Sequence, residues 1–352
     1  MAKTRINYID ALRGFTMMLV VFAHVLTFGF DMNDSFISQL FVTFRMPMFF
    51  FISGYIAYKG IDQWDGAFFK KMLKKKAVVQ IIPATVFWLL FVVWLCQGKT
   101  TPWEYIAEKG FVGYWFTYTL LVFFVIYYTI SLIANRMRPD AGGRFLDFAL
   151  CVVALVGIVA YIVLTALVKK QFLYAFSFLN VCIYFQFFAF GILCKRHLAT
   201  FEKMLKKDWL LVSAMVTFVA CLFVLFHPRI EPHVPRLLNM LCMREVVRYA
   251  GLIIVFAFFF HHASYFNRDN WFVKTLLFVG RRTLDIYLLH FFFMPYRNPI
   301  HGLDSQMFVV QLLVATAMSV VVVALCLAIS RVIRMSSFLG HYLLGAKRDE
   351  KS

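Results

Sequence analysis

Apolar runs of about 18 residues or more recur from one end of this chain to the other, each long enough to cross a hydrocarbon layer of roughly 30 Å. Of the 352 residues, 62% are hydrophobic, 15% are charged and 43 are Phe, so a soluble domain has too little polar surface to hide the apolar area. The expected fold is all-α: a polytopic transmembrane helical bundle of about ten helices. They fall at about 7–29, 36–58, 77–97, 112–134, 145–168, 172–194, 209–226, 245–261, 283–296 and 306–331. The ninth is short and is expected to begin nearer Phe272.

The first run has no small-residue cleavage site and further apolar segments follow it, so it is expected to stay as helix one. Placing the N-terminus in the cytoplasm puts roughly 25 of the 36 Lys and Arg on the cytoplasmic side, as the positive-inside rule prefers. The opposite orientation would leave the "KKMLKKK" cluster outside. Both termini are therefore expected to be cytoplasmic, with residues 1–334 forming one transmembrane domain and residues 335–352 a short basic tail. The longest outer loop is "HPRIEPHVPRLLNMLCMR", residues 227–244.

The formal charge of +18 does not point to nucleic acid, because the Lys and Arg lie in short clusters between apolar runs and not on one folded basic face. The seven Cys (Cys96, Cys151, Cys182, Cys194, Cys221, Cys242 and Cys326) show neither metal-ligand spacing nor a disulfide framework, and are read as packing residues. No bound metal and no permanent cofactor are expected.

The first run, "DALRGFTMMLVVFAHV", carries three groups that a lipid-bound helix does not need. Arg13 and His24 are eleven residues apart, about 1100° of helical rotation, so they share one face at an axial separation of about 16 Å. They are too far apart to touch and read as two ends of one path. Asp10 is placed to steady Arg13 at i, i+3. A simpler reading has that pair snorkelling to the interface while His24 is satisfied by another helix.

Other segments add candidates. Arg45 in "FRMPMFFFISGY" is either an interfacial anchor or part of a site, and Ser53 there lacks a nucleophile-elbow sequence. "GRRTLDIYLLHFFF" repeats the pattern of basic residues followed eight to nine positions later by a His, which puts His290 at a depth similar to His24. Asp285 in that segment needs a partner. In "REVVRYAG", Glu245 is able to pair locally with Arg248 or to act on His24 from across the bundle. Trp115 in "GYWFTY" is either a belt aromatic or a platform for a sugar ring.

With these residues the sequence resembles the acyltransferase-3 family of integral membrane acyltransferases, which includes bacterial sugar and polysaccharide O-acetyltransferases. The resemblance is carried by "IDALRG…FAH", "MPMFFFISGY", "IIPATVFWLL" after a basic loop, "YWFTYTLL" and "GRRTLDIYLLH". It implies a ten-helix bundle that passes an acyl group, acetyl by family habit, from cytoplasmic acyl-CoA to a hydroxyl, with Arg13 and His24 as the essential pair. The R-x-x-R pattern common before the Pro of the first cytoplasmic loop is missing: "KKKAVVQIIP" has Gln80 and a displaced Lys run.

The expected site follows. Lys71, Lys74, Lys75, Lys76, Arg281 and Arg282, with Arg13, take the phosphates of acyl-CoA. His24 is the general base, with Glu245 and Asp10 in support. Arg45, Trp115, Arg248 and His290 meet the acceptor, a carbohydrate or lipid-linked glycan, and Arg45 or Arg248 stabilises the oxyanion. The expected location is a bacterial cytoplasmic (inner) membrane. The rival readings are a transporter, for which no inverted repeat is visible, a membrane-bound O-acyltransferase of the other large class, and a scaffold.

Overall fold

A computed structural model of the chain describes residues 6–32, 36–96, 101–111, 113–137, 139–167, 177–226, 235, 239, 244–295, 303 and 306–346. Most of the expected loop 227–244, the start of the sixth expected helix at 172–176, residues 347–352 of the expected tail, Cys242 and the side chain of Cys96 lie outside the described residues.

The described residues contain helices and no strand, as an all-α bundle requires. In chain order the helices are α1 Asn7–His24, α2 Phe36–Ala57, α3 Gly66–Lys76, α4 Ile82–Cys96, α5 Pro102–Lys109, α6 Trp115–Asn135 and α7 Pro139–Leu167. They continue with α8 Phe178–Arg196, α9 Leu198–Leu205, α10 Asp208–Phe226, α11 Arg244–His261, α12 Trp271–Arg281, α13 Thr283–Leu289, α14 Phe308–Ile333 and α15 Ser337–Leu344. Among the described residues, seven stretches are long and apolar enough to cross a membrane: Asn7–Gly29, Gly66–Trp94, Trp115–Asn135, Ala141–Leu167, Phe178–Arg196, Asp208–Leu225 and Phe308–Ile333. The α2 and α11 helices coincide with the second and eighth expected spans and carry Arg45, Arg244, Glu245 and Arg248.

Two expectations change. The ninth span starts at Trp271 and is not one helix: α12 ends at Arg281, Arg282 leaves helical geometry at φ −113° and ψ 18°, and α13 runs only from Thr283 to Leu289 before a 3-10 turn over His290–Phe293. The "KKMLKKK" cluster is helical and not a loop. Asp65 caps α3 by accepting from the Phe68 amide at 2.6 Å, and a π turn over Ala77–Ile81 carries the helix on into α4.

The chain divides into two compact units, Met1–Ile52 with His197–Cys326 and Ser53–Arg196 with Leu327–Ser352. In the first, α1 packs on α12, α11 and α13, and α10 packs on α11. Phe51, Phe201 and Phe256 interlock in its interior at ring separations of 5.2–6.3 Å. The closest helix approach is set by two glycines: a Cβ on Gly14 would strike the carbonyl of Leu276, and one on Gly280 would strike the carbonyl of Asp10. Small residues let the two backbones meet, as in many membrane bundles.

In the second unit α6 packs on α7 and α8, with Phe123 and Phe188 5.5 Å apart and Trp64 against Tyr128 at 4.6 Å. The α15 helix, expected as part of a bare tail, packs on α4 and the adjoining π turn and ends at Gly345 with φ 59°. Along α7, Phe148, Leu155, Val156 and Leu167 are more than half exposed, the surface of a helix that faces lipid.

Candidate active site

The Gly14–Gly280 contact determines what surrounds the first turns of α1. With the backbones touching, Asp10 and Arg13 face the α12–α13 break. Arg281 reaches Asp10 Oδ2 from Nε at 3.3 Å, and Arg13 approaches Asp10 Oδ1 at 3.6 Å. Arg13 also donates from Nη2 to the hydroxyl of Thr283 at 2.9 Å. Arg282 lies 3.6 Å from Asp285, which is 1% exposed. Three arginines thus converge on two carboxylates and a hydroxyl. Among these described residues the arginines outnumber the carboxylates by one, and the Arg281 side chain is 40% exposed.

Thr283 was not singled out in the sequence, where a Thr just after two arginines reads as a helix start. The glycines were equally silent, because nothing in an isolated apolar run says which small residue meets another backbone. Asp10, Arg13, Arg281 and Arg282, expected to serve one region, are together.

About 16 Å along the helix, α1 ends at His24 and widens into a π turn over Val25–Gly29. Such turns favour functional positions because they interrupt the regular ladder. Gly29 closes this end against Pro295, whose Cγ would lie 2.9 Å from an added Cβ. This brings the end of α1 beside the 3-10 turn that begins at His290.

The imidazoles of His24 and His290 are neighbours, with centroids 5.3 Å apart and planes inclined by 29°. Phe28 and Phe291 flank His24 at 5.5 and 5.1 Å. His290 is fully buried. Its Nδ1 sits 2.8 Å from the Tyr287 carbonyl and 3.0 Å from that of Ile286, and its Nε2 has no hydrogen-bond partner among the described residues. The equal depth of the two histidines was legible in the sequence, but their contact was not.

Arg45 joins this end. From α2 it donates through Nη1 to the carbonyl of Val20, one turn before His24, at 3.3 Å. Glu245 is buried at the start of α11 and ion-paired with Arg248 one turn along the same helix, the local arrangement that their spacing allows. The described ring contacts of His24 are with Phe28, His290 and Phe291, and Glu245 is not among its described neighbours. Arg244 donates to Asn239 at 3.0 Å beside that pair.

The remaining expected residues belong to the other unit. Lys71, Lys74 and Lys75 are exposed on α3, and Lys76 lies over the ring of Phe124 at 3.7 Å. Trp115, at the start of α6, stacks on Tyr184 with centroids 5.7 Å apart. The described cysteines Cys151, Cys182, Cys194, Cys221 and Cys326 are free.

The arrangement in the first unit thus offers anion-binding cations at one end of α1, and at the other a pair of imidazoles with a guanidinium, suited to proton transfer and to a developing negative charge. No curated protein and no solved structure matches the sequence. The family model described as an acyltransferase domain matches residues 6–331, essentially the whole chain. With its apolar spans and this match, the chain is a multi-pass membrane acyltransferase and belongs to the acyltransferase-3 family.

Proposed function

We propose that the protein is an O-acyltransferase that takes an acyl group, acetyl in particular, from cytoplasmic acyl-CoA and passes it to a hydroxyl of a cell-envelope carbohydrate or lipid-linked glycan. In this reading the membrane is a bacterial inner membrane with both termini cytoplasmic, as the distribution of Lys and Arg favours. The observation that carries it is the division of labour along α1: Arg13 among Arg281 and Arg282 at one end, His24 beside His290 and Arg45 at the other. The arginines suit the phosphates of CoA, and the flexible pantetheine arm has a length similar to the 16 Å or so that separates Arg13 from His24.

In the reaction so proposed, the acceptor hydroxyl gives its proton to a ring nitrogen of His24 as its oxygen attacks the thioester carbonyl carbon. The new C–O bond creates a tetrahedral oxyanion, and Arg45, held on the Val20 carbonyl one turn before His24, compensates it. Collapse breaks the C–S bond, and the imidazolium returns the proton to the leaving thiolate. The exposed lysines of α3, in the other unit, form a basic face of their own that also suits polyphosphate. The aromatic pair Trp115–Tyr184 suits the apolar face of a sugar ring, which favours the carbohydrate class.

The test uses the full-length protein in liposomes with labelled acetyl-CoA, following both CoA release and hydroxyl-linked acetate. His24→Ala, shown to be folded and inserted, is expected to abolish transfer, and full activity in that variant would overturn the assignment. Absence of any acyl-CoA binding or turnover by the parent protein would favour a transporter. Comparing hydroxyl-linked acetate on cell envelopes with and without the gene identifies the acceptor class.

A further inference from the structure

The second histidine has a chemistry fixed by its surroundings. Both groups near His290 Nδ1 are main-chain carbonyls, of Ile286 and Tyr287, and a carbonyl only accepts. Nδ1 therefore carries the proton in neutral His290, and Nε2 presents a bare lone pair. That lone pair is fully buried, has no hydrogen-bond partner among the described residues, and lies in a ring whose centroid is 5.3 Å from that of His24. A buried acceptor without a donor is left with the full cost of its lost hydration.

The other neighbours of His290 do not fill this need: Phe291 at 4.1 Å offers no N–H or O–H, and neither Arg45, which donates through Nη1 to the carbonyl of Val20, nor Tyr287, with its ring 6.1 Å away, hydrogen-bonds Nε2. His24 has a ring N–H to give and makes no other hydrogen bond among the described residues.

We propose that His290 is a positioning residue for His24: its Nε2 accepts the ring N–H of His24, which fixes that ring in one tautomer and leaves the opposite nitrogen as the base. The proposal rests on the reading of His24 as the general base and deepens it. When His24 takes the acceptor proton and becomes imidazolium, the same bond is charge-assisted, the service that a carboxylate renders to a catalytic histidine elsewhere. A neutral imidazole performs it without adding a second buried charge beside the oxyanion.

The primary test is nitrogen NMR of the full-length protein in detergent with 15N-labelled histidine side chains, the His24 signals being assigned from their loss in His24→Ala. The parent protein is expected to show His24 as one tautomer near neutral pH. His290→Phe, which keeps an aromatic ring but removes the acceptor, is expected to show averaged tautomer shifts. His290→Gln, which offers an amide oxygen near the position of Nε2, restores the single form.

In acetyl-CoA turnover His290→Phe should lower kcat by about 100-fold with KM for acetyl-CoA within about twofold, and His290→Gln should recover at least about tenfold of that loss. Identical His24 ring signals in the parent protein and in His290→Phe would overturn the proposal. Turnover by His24→Ala would remove the general-base reading itself, whereas an inactive His24→Ala with a fully active His290→Phe removes only the role of His290.

Discussion

Arg13 and Thr283 are joined side chain to side chain at 2.9 Å, across 270 positions of sequence, and this bond ties the start of α1 to the start of α13. Hydrogen bonds to charged groups contribute about 1.5–3 kcal/mol. Thr283→Val keeps the shape but removes the oxygen, which takes from Arg13 its short acceptor and leaves the Asp10 pair at the longer distance of 3.6 Å. We expect KM for acetyl-CoA to rise about tenfold with kcat nearly unchanged, and Arg13→Ala to raise it further. A fall in kcat at constant KM would place this bond outside donor binding.

Binding of the donor should depend on ionic strength. Arg13, Arg281 and Arg282 outnumber Asp10 and Asp285, and the Arg281 side chain is partly in solvent. Screening lengths fall from about 30 Å at 0.01 M salt to about 8 Å at 0.15 M. Acyl-CoA affinity, measured by calorimetry in detergent, should weaken over that range, and Arg281→Gln should flatten the dependence. An unchanged slope in that variant would exclude Arg281 from the phosphate site.

Gly280→Ala tests the packing that assembles the site. The added methyl would meet the carbonyl of Asp10, a backbone atom that cannot swing away. Overpacking of this kind costs about 1–3 kcal/mol, and the Asp10–Arg281 pair should loosen with it. Thermal unfolding in detergent should show a lower midpoint, together with a higher KM for the donor. Gly66→Ala is the control, since its methyl would meet nothing within 4 Å, and it should be neutral or slightly stabilising.

Arg45 is expected to act on the transition state and not on donor binding. Removing one oxyanion donor lowers kcat by about 10²–10³-fold. Arg45→Met should show a loss of that size with KM for acetyl-CoA within about twofold, and Arg45→Lys a smaller one. If Arg45→Met instead raises KM and spares kcat, the guanidinium serves binding.

The membrane fold was legible because apolar length is a one-dimensional property, and so was the shared face of Arg13 and His24, which needs only the helical period. The contact of His24 with His290 was half-visible: equal depth follows from spacing, adjacency does not. The α3 helix was mistaken for a loop because its lysines dominate the reading. Its signals were Asp65 as a cap and apolar Phe68, Phe69, Met72 and Leu73 at helical spacing. The break at Arg282 went unread: Gly280 stands two residues before it, but an isolated glycine in an apolar run does not say whether it ends the helix or seats another backbone.

The tight seat of Gly14 on α12 and of Gly29 on Pro295 makes α1 a ruler clamped at both ends. One residue inserted between Arg13 and His24 would turn the histidine by about 100° and lift it by about 1.5 Å, away from His290, while the arginine stayed in its place. Aliphatic exchanges within that interval leave the spacing alone. Evolution is therefore free to exchange the aliphatic residues between the two, Gly14 excepted, but not to change their number.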